Sequence, residues 1–493
     1  MVLVDLNMES RVSESSIHLL GCSLIVQTEN QKARNLLTLL SNTGGLALVI
    51  AILFGCSSAP SLATRKTEPL ATPSIVVTNP SFTSIASTAT ITVFPSPIST
   101  TAIVRAQSNG SSHNPSVSAD GQFVAFQSDA SNLVQGDTNG VTDIFVYTRV
   151  TERIERVSIA SDGSQASGAS INPSISADGR IIAFVSWASN LAPGDTNTLP
   201  DPPPTNAPDI FVHDRQTGET ERVSIASNSM QANDRSDNPS ISGDGRYVAF
   251  VSWASNLVRD DTNDAPDIFV HDRQSGKTER VSIASDGAQS NGWSEAAAIS
   301  ADGRWVAFVS QATNLVPNAV AKPCGVFVHD RSNGQTDLAS LDPSGHPISG
   351  SGPSISKDGH WVAFWDPHVY LRDRRVERTI LVASNVLEYT EGGTCGSGGI
   401  SLSADGNWLA YSSEQTPDHT LEIFLSSLQE RREQRITHGN AMSNTPSLSA
   451  DGRWLAFRSS ANDLVAGDTN GVEDIFLYDR LTEKIERVSV PAQ

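Results

Sequence analysis

The residues in this sequence best arranged for chemistry are carboxylates. The string Asp-Thr-Asn occurs at Asp137-Thr138-Asn139, Asp195-Thr196-Asn197, Asp261-Thr262-Asn263 and Asp468-Thr469-Asn470, and each is followed by a further acid, Asp143, Asp209, Asp267 or Asp474. In the first and last copies the spacing is D-x-N-G-x-x-D. Asp137, Asn139 and Asp143, and likewise Asp468, Asn470 and Asp474, then alternate oxygen side chains around a glycine, as calcium loops do. Calcium takes roughly six to eight oxygens. Each string supplies three such side chains and lacks the closing bidentate Glu. Asp and Asn also bond their own backbone in turns, so the structural turn is the favoured reading and calcium the alternative.

Other chemistry is sparse. No GxSxG elbow, HExxH pair or P-loop is present. The four cysteines, Cys22, Cys56, Cys324 and Cys395, form no CxxC or Cys/His cluster, which argues against structural zinc. Cys324 and Cys395 are candidates for a disulfide if the chain is exported. With a formal net charge of -20 the surface repels phosphate backbones, so nucleic acid is not an expected partner.

The elements that must position these residues are repeats. S-x-D-G recurs at Ser118, Ser176, Ser242, Ser300, Ser356, Ser403 and Ser449, giving seven copies 46 to 66 residues apart. The third copy divides into four strands: a, Pro239 to Ser242; b, Tyr247 to Ser252; c, Asp267 to His271; and d, Glu279 to Ala284. Asp244-Gly245 and Ser275-Gly276 make the tight turns a–b and c–d. Strands b and c are continuous apolar runs such as VAFV and IFV, the pattern of strands buried on both faces. Repeated four-stranded units stacked around a ring supply that environment. The expectation is an all-β propeller of about seven four-stranded blades over residues 102–493, with six or eight as alternatives. Ile103 to Ala106 and the following Gln107-Ser108-Asn109-Gly110 mimic the end of a d strand and its loop, redundant to the seven or added at an edge.

Tight turns on one face leave the long b–c and d–a loops on the other, and loops on a rigid scaffold commonly carry function. Trp187 and Trp253 open b–c loops and are the candidates for stacking on a ligand. Asn197 to Pro208 is a Pro-rich insertion on the same face. Trp305, Trp361, Trp408 and Trp454 share one strand-b position and read as blade-to-blade packing. His213, His271 and His329 share a position that Tyr147 and Tyr478 also occupy; a metal ring would not accept tyrosine there, so packing or hydrogen bonding is the reading. The Asp-Arg pairs after strand c, such as Asp214-Arg215, read as pairing within a blade.

The strings PSISADGRxVAF, as in Pro173 to Phe184 and Pro446 to Phe457, and DIFVxDR, as in Asp209 to Arg215 and Asp474 to Arg480, resemble the TolB-like, WD40-like propeller repeats of exported bacterial proteins. The resemblance covers about residues 101–493 and implies the fold more than a function. TolB pairs a smaller propeller with an N-terminal α/β domain; residues 57–101 show no such domain, so a TolB-type role in outer-membrane integrity is not implied. Similar repeats precede the hydrolase domain of prolyl-oligopeptidase-like peptidases; the sequence reaches Gln493 directly after its last d strand, so no such domain is expected.

The first 55 residues read as an export signal: Lys32 and Arg34 precede the apolar run 36–55. Its end, Leu53-Phe54-Gly55-Cys56, resembles the lipobox of bacterial lipoproteins, which implies lipid on Cys56. An uncleaved membrane helix is the alternative. The stretch 56–101, rich in Ser, Thr and Pro, reads as a disordered tether. These readings place the body in the cell envelope outside the cytoplasm, touching membrane through the lipid anchor alone. The expected role is a binding or scaffold module for envelope or extracellular protein, peptide or glycan, with no cofactor required. The alternative is an enzyme acting on polysaccharide or peptide at the central channel.

Overall fold

The computed structural model describes residues 106–199, 205–317, 323–384, 399–414 and 420–491, together with two strands nearer the N-terminus. The chain divides into two units, Met1–Pro97 and Ile98–Gln493. In the first, Ser15–Leu19 and Cys22–Val26 pair antiparallel. The apolar run 36–55, Cys56 and the 56–101 linker lie outside the described residues. Among the described residues no helix is long and apolar enough to cross a membrane.

The second unit is built from the S-x-D-G turn outward. In the first copy Ser118 Oγ donates to Asp120 Oδ1 at 2.8 Å, while Asp120 Oδ1 accepts from Gln122 N and Ser118 Oγ from Phe123 N. Gly121 takes the left-handed conformation (φ 68°) that closes the hairpin. The turn repeats with the same partners in all seven copies, as in Ser242 to Asp244 and Ser449 to Asp451. A Cβ on these glycines would overlap the first residue of strand b in the preceding repeat: Trp454 beside Gly121, Trp305 beside Gly359, Trp361 beside Gly406 and Trp408 beside Gly452. The four tryptophans therefore seat the glycine turn of the next repeat.

Each repeat forms one antiparallel four-stranded sheet in the order a-b-c-d. The sheets, or blades, span 112–156, 170–222, 236–280, 294–338, 351–383, 400–435 and 443–487. In blade 3 the strands are Ser236–Ile241, Tyr247–Ser252, Asp267–Asp272 and Lys277–Arg280. Strand b matches its expected limits. Strand d starts two residues earlier than expected, because the turn at Ser275-Gly276 leads directly into pairing of Lys277 with Asp272. Strand a starts three residues earlier and carries a bulge between Asp237 and Ser240.

Burial explains the apolar runs. Ala249, Phe250, Ile268, Phe269 and Val270 are buried in blade 3, and their equivalents are buried around the molecule. One aromatic pair joins b to c in every blade, from Phe126–Phe145 (centroids 6.0 Å apart) to Phe457–Phe476 (5.7 Å). Such pairs contribute about 0.5–1.5 kcal/mol beyond the area they bury. Each main apolar cluster draws on two successive blades, and the cluster holding Val117 and Phe126 of blade 1 also holds Trp454 and Leu477 of blade 7. No blade buries both its faces alone.

The Asp-Arg pairs divide their work. Asp214 accepts Arg180 Nε and Nη2 at 2.8 and 2.5 Å within its own blade. Its sequence neighbour Arg215 instead reaches the preceding blade, donating to Glu155 at 2.5 Å and lying 4.4 Å over the ring of Phe123. The expected pairing within a blade therefore holds for the aspartate and not for the arginine, whose long stem crosses the seam.

Candidate functional site

The innermost strands are the a strands, each beside the a strands of its neighbours around the whole circle. Backbone bonds run from turn to turn: Ala119 N to Ala177 O, Ala177 to Gly243, Gly243 to Ala301, Lys357 to Ala404, Ala404 to Ala450, and Ala450 back to Ala119, at 2.9–3.0 Å. That last bond joins the last repeat to the first. This chain is a seven-bladed β-propeller. Blade 7 has its own four strands, and the segment before blade 1 closes the ring as a loop: Gln107 Nε2 donates to Gly467 O at 2.7 Å and to Thr469 Oγ1 at 2.9 Å. Gln165 does the same for the loop of blade 1, at Gly136 O and Thr138.

The inner strands of the propeller present a polar arc. Asn114, Asn172 and Asn238 sit in the bulges with φ of 49–54°, a conformation asparagine tolerates better than most residues. Asn114 Nδ2 donates to Asn172 Oδ1 at 2.7 Å and to Gln127 Oε1 at 3.2 Å. Asn172 Nδ2 donates onward to Asp237 Oδ1 and Asn238 Oδ1 at 3.2 and 3.3 Å. Blade 4 continues the line with Glu295, at the position of Asp237. Burial pushes both carboxyls up, against the hydrogen bonds of Asn238 and Asn172 for Asp237 and with no opposing partner for Glu295. On the other side of blade 1, His113 Nδ1 lies 3.0 Å from both Arg458 Nη1 and Glu473 Oε2. Carboxamides, carboxylates, an imidazole and a guanidinium along one line can grip a polar extended ligand. The two carboxyls held partly against ionisation could also exchange protons.

Tryptophans lie near the start of these strands. Trp187 and Trp253, the stacking candidates, are half-buried against apolar clusters, and Arg235 covers the Trp253 ring at 3.9 Å. Trp293, immediately before strand a of blade 4, is 54% exposed. It occurs in one copy only, so the repeat gave no signal for it. The Pro-rich insertion forms a short pair, Thr198–Leu199 with Thr205–Asn206.

The Asp-Thr-Asn loops do converge on a cation, and it is an arginine. Arg156 Nη1 lies 3.0 Å from Asp137 and 3.3 Å from Asp143; Arg487 Nη1 lies 2.8 Å from Asp468 and 3.1 Å from Asp474. Asn139 and Asn470 donate to Asp143 and Asp474 at 2.9 Å. Arg280 holds Asp261 and Asp267 in the same way at 3.0 and 3.2 Å. The partners come from the repeated Glu-Arg-Val-Ser at the end of strand d, whose serine donates to the strand-c aspartate at 2.5 Å in Ser158–Asp143 and Ser489–Asp474. That string was visible in the sequence, 13 residues or more from the acids it serves. In blade 2 Arg222 stands back at 3.5 Å from Asp209, and burial pushes that carboxyl up to about 7. Among the described residues no three His, Cys, Asp or Glu side chains are gathered as a metal site.

His213, His271 and His329 each meet a threonine of strand d, at 2.8–2.9 Å in His213–Thr220, His271–Thr278 and His329–Thr336. Each threonine hydroxyl gives its proton to a carbonyl of the preceding blade, as Thr220 does to Ile159 O at 2.5 Å. The histidine must therefore donate from Nδ1, which fixes its tautomer. Burial lowers all three pKa values. Cys324 is buried and disulfide-bonded. Cys395, its expected partner, lies outside the described residues.

The sequence matches no protein-family model and no curated protein. Among solved structures, TolB from Acinetobacter baumannii is 17% identical with a TM-score of 0.38, over 66% of this chain and 63% of that one, so the chain spans under two thirds of its length. An oligogalacturonate lyase in complex with manganese is 12% identical with a TM-score of 0.46, over 75% and 90%. A puromycin-hydrolysing peptidase of Mycobacterium tuberculosis is 16% identical with a TM-score of 0.47, over 81% and 56%.

Proposed function

We propose that this propeller is a binding module of the cell envelope, lipid-anchored through Cys56 and the 56–101 tether, that takes an extended peptide or glycan at the inner strands of blades 1–4. The observation that carries the reading is the hydrogen-bonded arc Asn114–Asn172–Asn238/Asp237, set in left-handed bulges and continued by Glu295 beside exposed Trp293. Amides and carboxylates offer both donors and acceptors to hydroxyls or peptide groups, and an exposed indole offers a flat apolar face for a sugar ring or an apolar side chain.

The test is a screen of the full chain, purified in detergent, against glycan and peptide libraries. Saturable binding that Trp293→Ala and Asn172→Ala each weaken, with no product formed, is the expected result. Release of product from a polysaccharide or peptide, abolished by Asp237→Asn or Glu295→Gln, would replace this reading with the enzymatic one. The burial of those two carboxyls, which raises the pKa of each, is what favours that second reading.

A further inference from the structure

The seam between blades 4 and 5 differs from the others. Elsewhere a serine of strand a accepts a backbone N–H from the next blade, as Ser240 does from Ile299 at 3.1 Å and Ser354 from Leu402 at 3.0 Å. In blade 4 that serine is Ala298. Among the described residues the turn-to-turn ring of backbone bonds is interrupted at this same seam, between Ala301 and Lys357. On the outer side, Ser227 and Ser285 accept the N–H of Thr278 and Thr336 across their seams at 2.9 Å; in blade 4 the equivalent residue is Pro343, which has no hydroxyl.

A cavity of about 390 Å³ opens at this seam. That lies in the range of small-molecule sites, roughly 300–1,000 Å³. Leu338, Ala339, Leu341, Pro347, Val316 and Pro317 supply its apolar lining, and Arg372, Arg374, Asp337 and Glu377 the larger polar share. Among its polar residues is Arg372, which stands where blades 2–4 have the histidine of the His–Thr pair. Arg372 is 8% exposed, and among the described residues its one side-chain hydrogen bond is a 3.4 Å contact from Nη1 to Thr379 Oγ1. A guanidinium has five N–H donors, so most of its capacity is unused. The carboxylates in its field are Glu377, Asp373 and Asp337. Asp373 is held by His360 at 2.6 Å, and the Asp337 side chain is 68% exposed. Burial outweighs all three and draws the Arg372 pKa below its usual value. The second arginine, Arg374, is occupied: it donates to Gly359 O at 2.7 Å and stacks 4.0 Å over Trp305.

We propose that this cavity binds a monocarboxylate on an apolar body, its carboxylate taken in two parallel hydrogen bonds by Arg372. The planar guanidinium fits that group, and the apolar walls fit an aliphatic tail. The exposed acids in the lining, Asp337 and Glu377, disfavour a polyanion. A free organic acid and the C-terminal residue of a peptide share this chemistry.

The experiment uses the full chain in detergent, with binding followed by calorimetry and by thermal shift. The probes are N-acetyl-leucine, its carboxamide, an N-acetylated tripeptide ending in leucine, and inorganic phosphate. The acid is expected to bind saturably and the carboxamide at least about tenfold more weakly, the loss of a charge-assisted pair. Tighter binding by the tripeptide assigns the site to a chain terminus, and tighter binding by the small acid assigns it to a free acid; either order supports the proposal. Arg372→His restores the pair of blades 2–4, so it should fold and lose at least about tenfold in affinity. Leu341→Trp, which fills the cavity and keeps the arginine, should also abolish binding. Equal affinity for acid and carboxamide, competition by phosphate, unchanged binding by Arg372→His, or no saturable signal from any probe would overturn the proposal.

Discussion

Blades 3 and 4 are neighbours with nearly the same strand b, YVAFVS and WVAFVS, yet they are held by different means. Blade 3 carries a buried ionic network, Asp261–Arg280–Asp267 with Ser282, and ties its inner serine to the next blade. Blade 4 has Gly325 where the strand-c aspartate would be, Leu338 where the arginine would be, and Ala298 where the tying serine would be. Acid and base are absent together, which leaves neither charge stranded. In their place stands the disulfide cysteine Cys324, one residue before Gly325. The lesson is that a propeller needs its shared apolar faces everywhere, while the polar ties can be exchanged as sets. A sector that has given up its set has room for something else.

The largest effect should come from breaking one set in half. Arg280→Leu leaves Asp261 and Asp267 buried beside each other without their cation, and the expected loss is roughly 3–5 kcal/mol. Denaturant melting measures it. Adding Asp267→Gly, which completes the pair found in blade 4, should recover part of that loss; no recovery would mean that the exchange-by-set account is wrong.

Next is a pH effect confined to the ionic blades. Asp209 is raised to about 7 by burial, so its folded form prefers the proton relative to the unfolded chain at 3.8. Its contribution to stability is full below about pH 4 and is lost as pH rises through about 7. Asp209→Asn should flatten the stability profile across that window, whereas blade 4, with Gly325 at this place, has nothing there to titrate.

A smaller effect follows from the seams. Ser240→Ala removes one tie between blades 3 and 4 and should cost about 1 kcal/mol. Ala298→Ser offers the missing tie between blades 4 and 5 and should gain no more than that, read from the same melts.

The smallest effect is at the surface. Arg180 and Arg453 hold Asp214 and Asp479 at about 2. Their stabilisation is present above about pH 4 and fades as pH falls toward 2. The arginine side chains are 42% and 37% exposed, so salt should screen most of it. Acid titrations of Asp214→Asn at low and high salt would show whether it is there at all.

Much of this architecture was legible because the S-x-D-G turn repeats with its chemistry intact, and a glycine at positive φ fixes where each hairpin folds. The bulges in the a strands were not legible, because the left-handed residue there is an asparagine inside what reads as a plain strand; the recurrent Asn-Pro-Ser at Asn114, Asn172 and Asn238 was the available sign. The acids of the Asp-Thr-Asn loops were found, but their cation lies on another strand, and spacing along one loop cannot show a partner that only pairing of strands c and d brings in. The Arg372 cavity was invisible for the opposite reason: it depends on what a degenerate copy has lost, and sequence patterns highlight what is kept.

Gln107 has one more consequence. The chain enters and closes the ring at a loop, and each of the seven sheets is cut from a single uninterrupted stretch of sequence. Moving the termini to another d–a loop, such as 285–292, and joining the old ends would leave every sheet whole. Circular permutants of this protein should therefore fold to the same ring, with the opened loop taking over the role of a latch made from one side-chain amide.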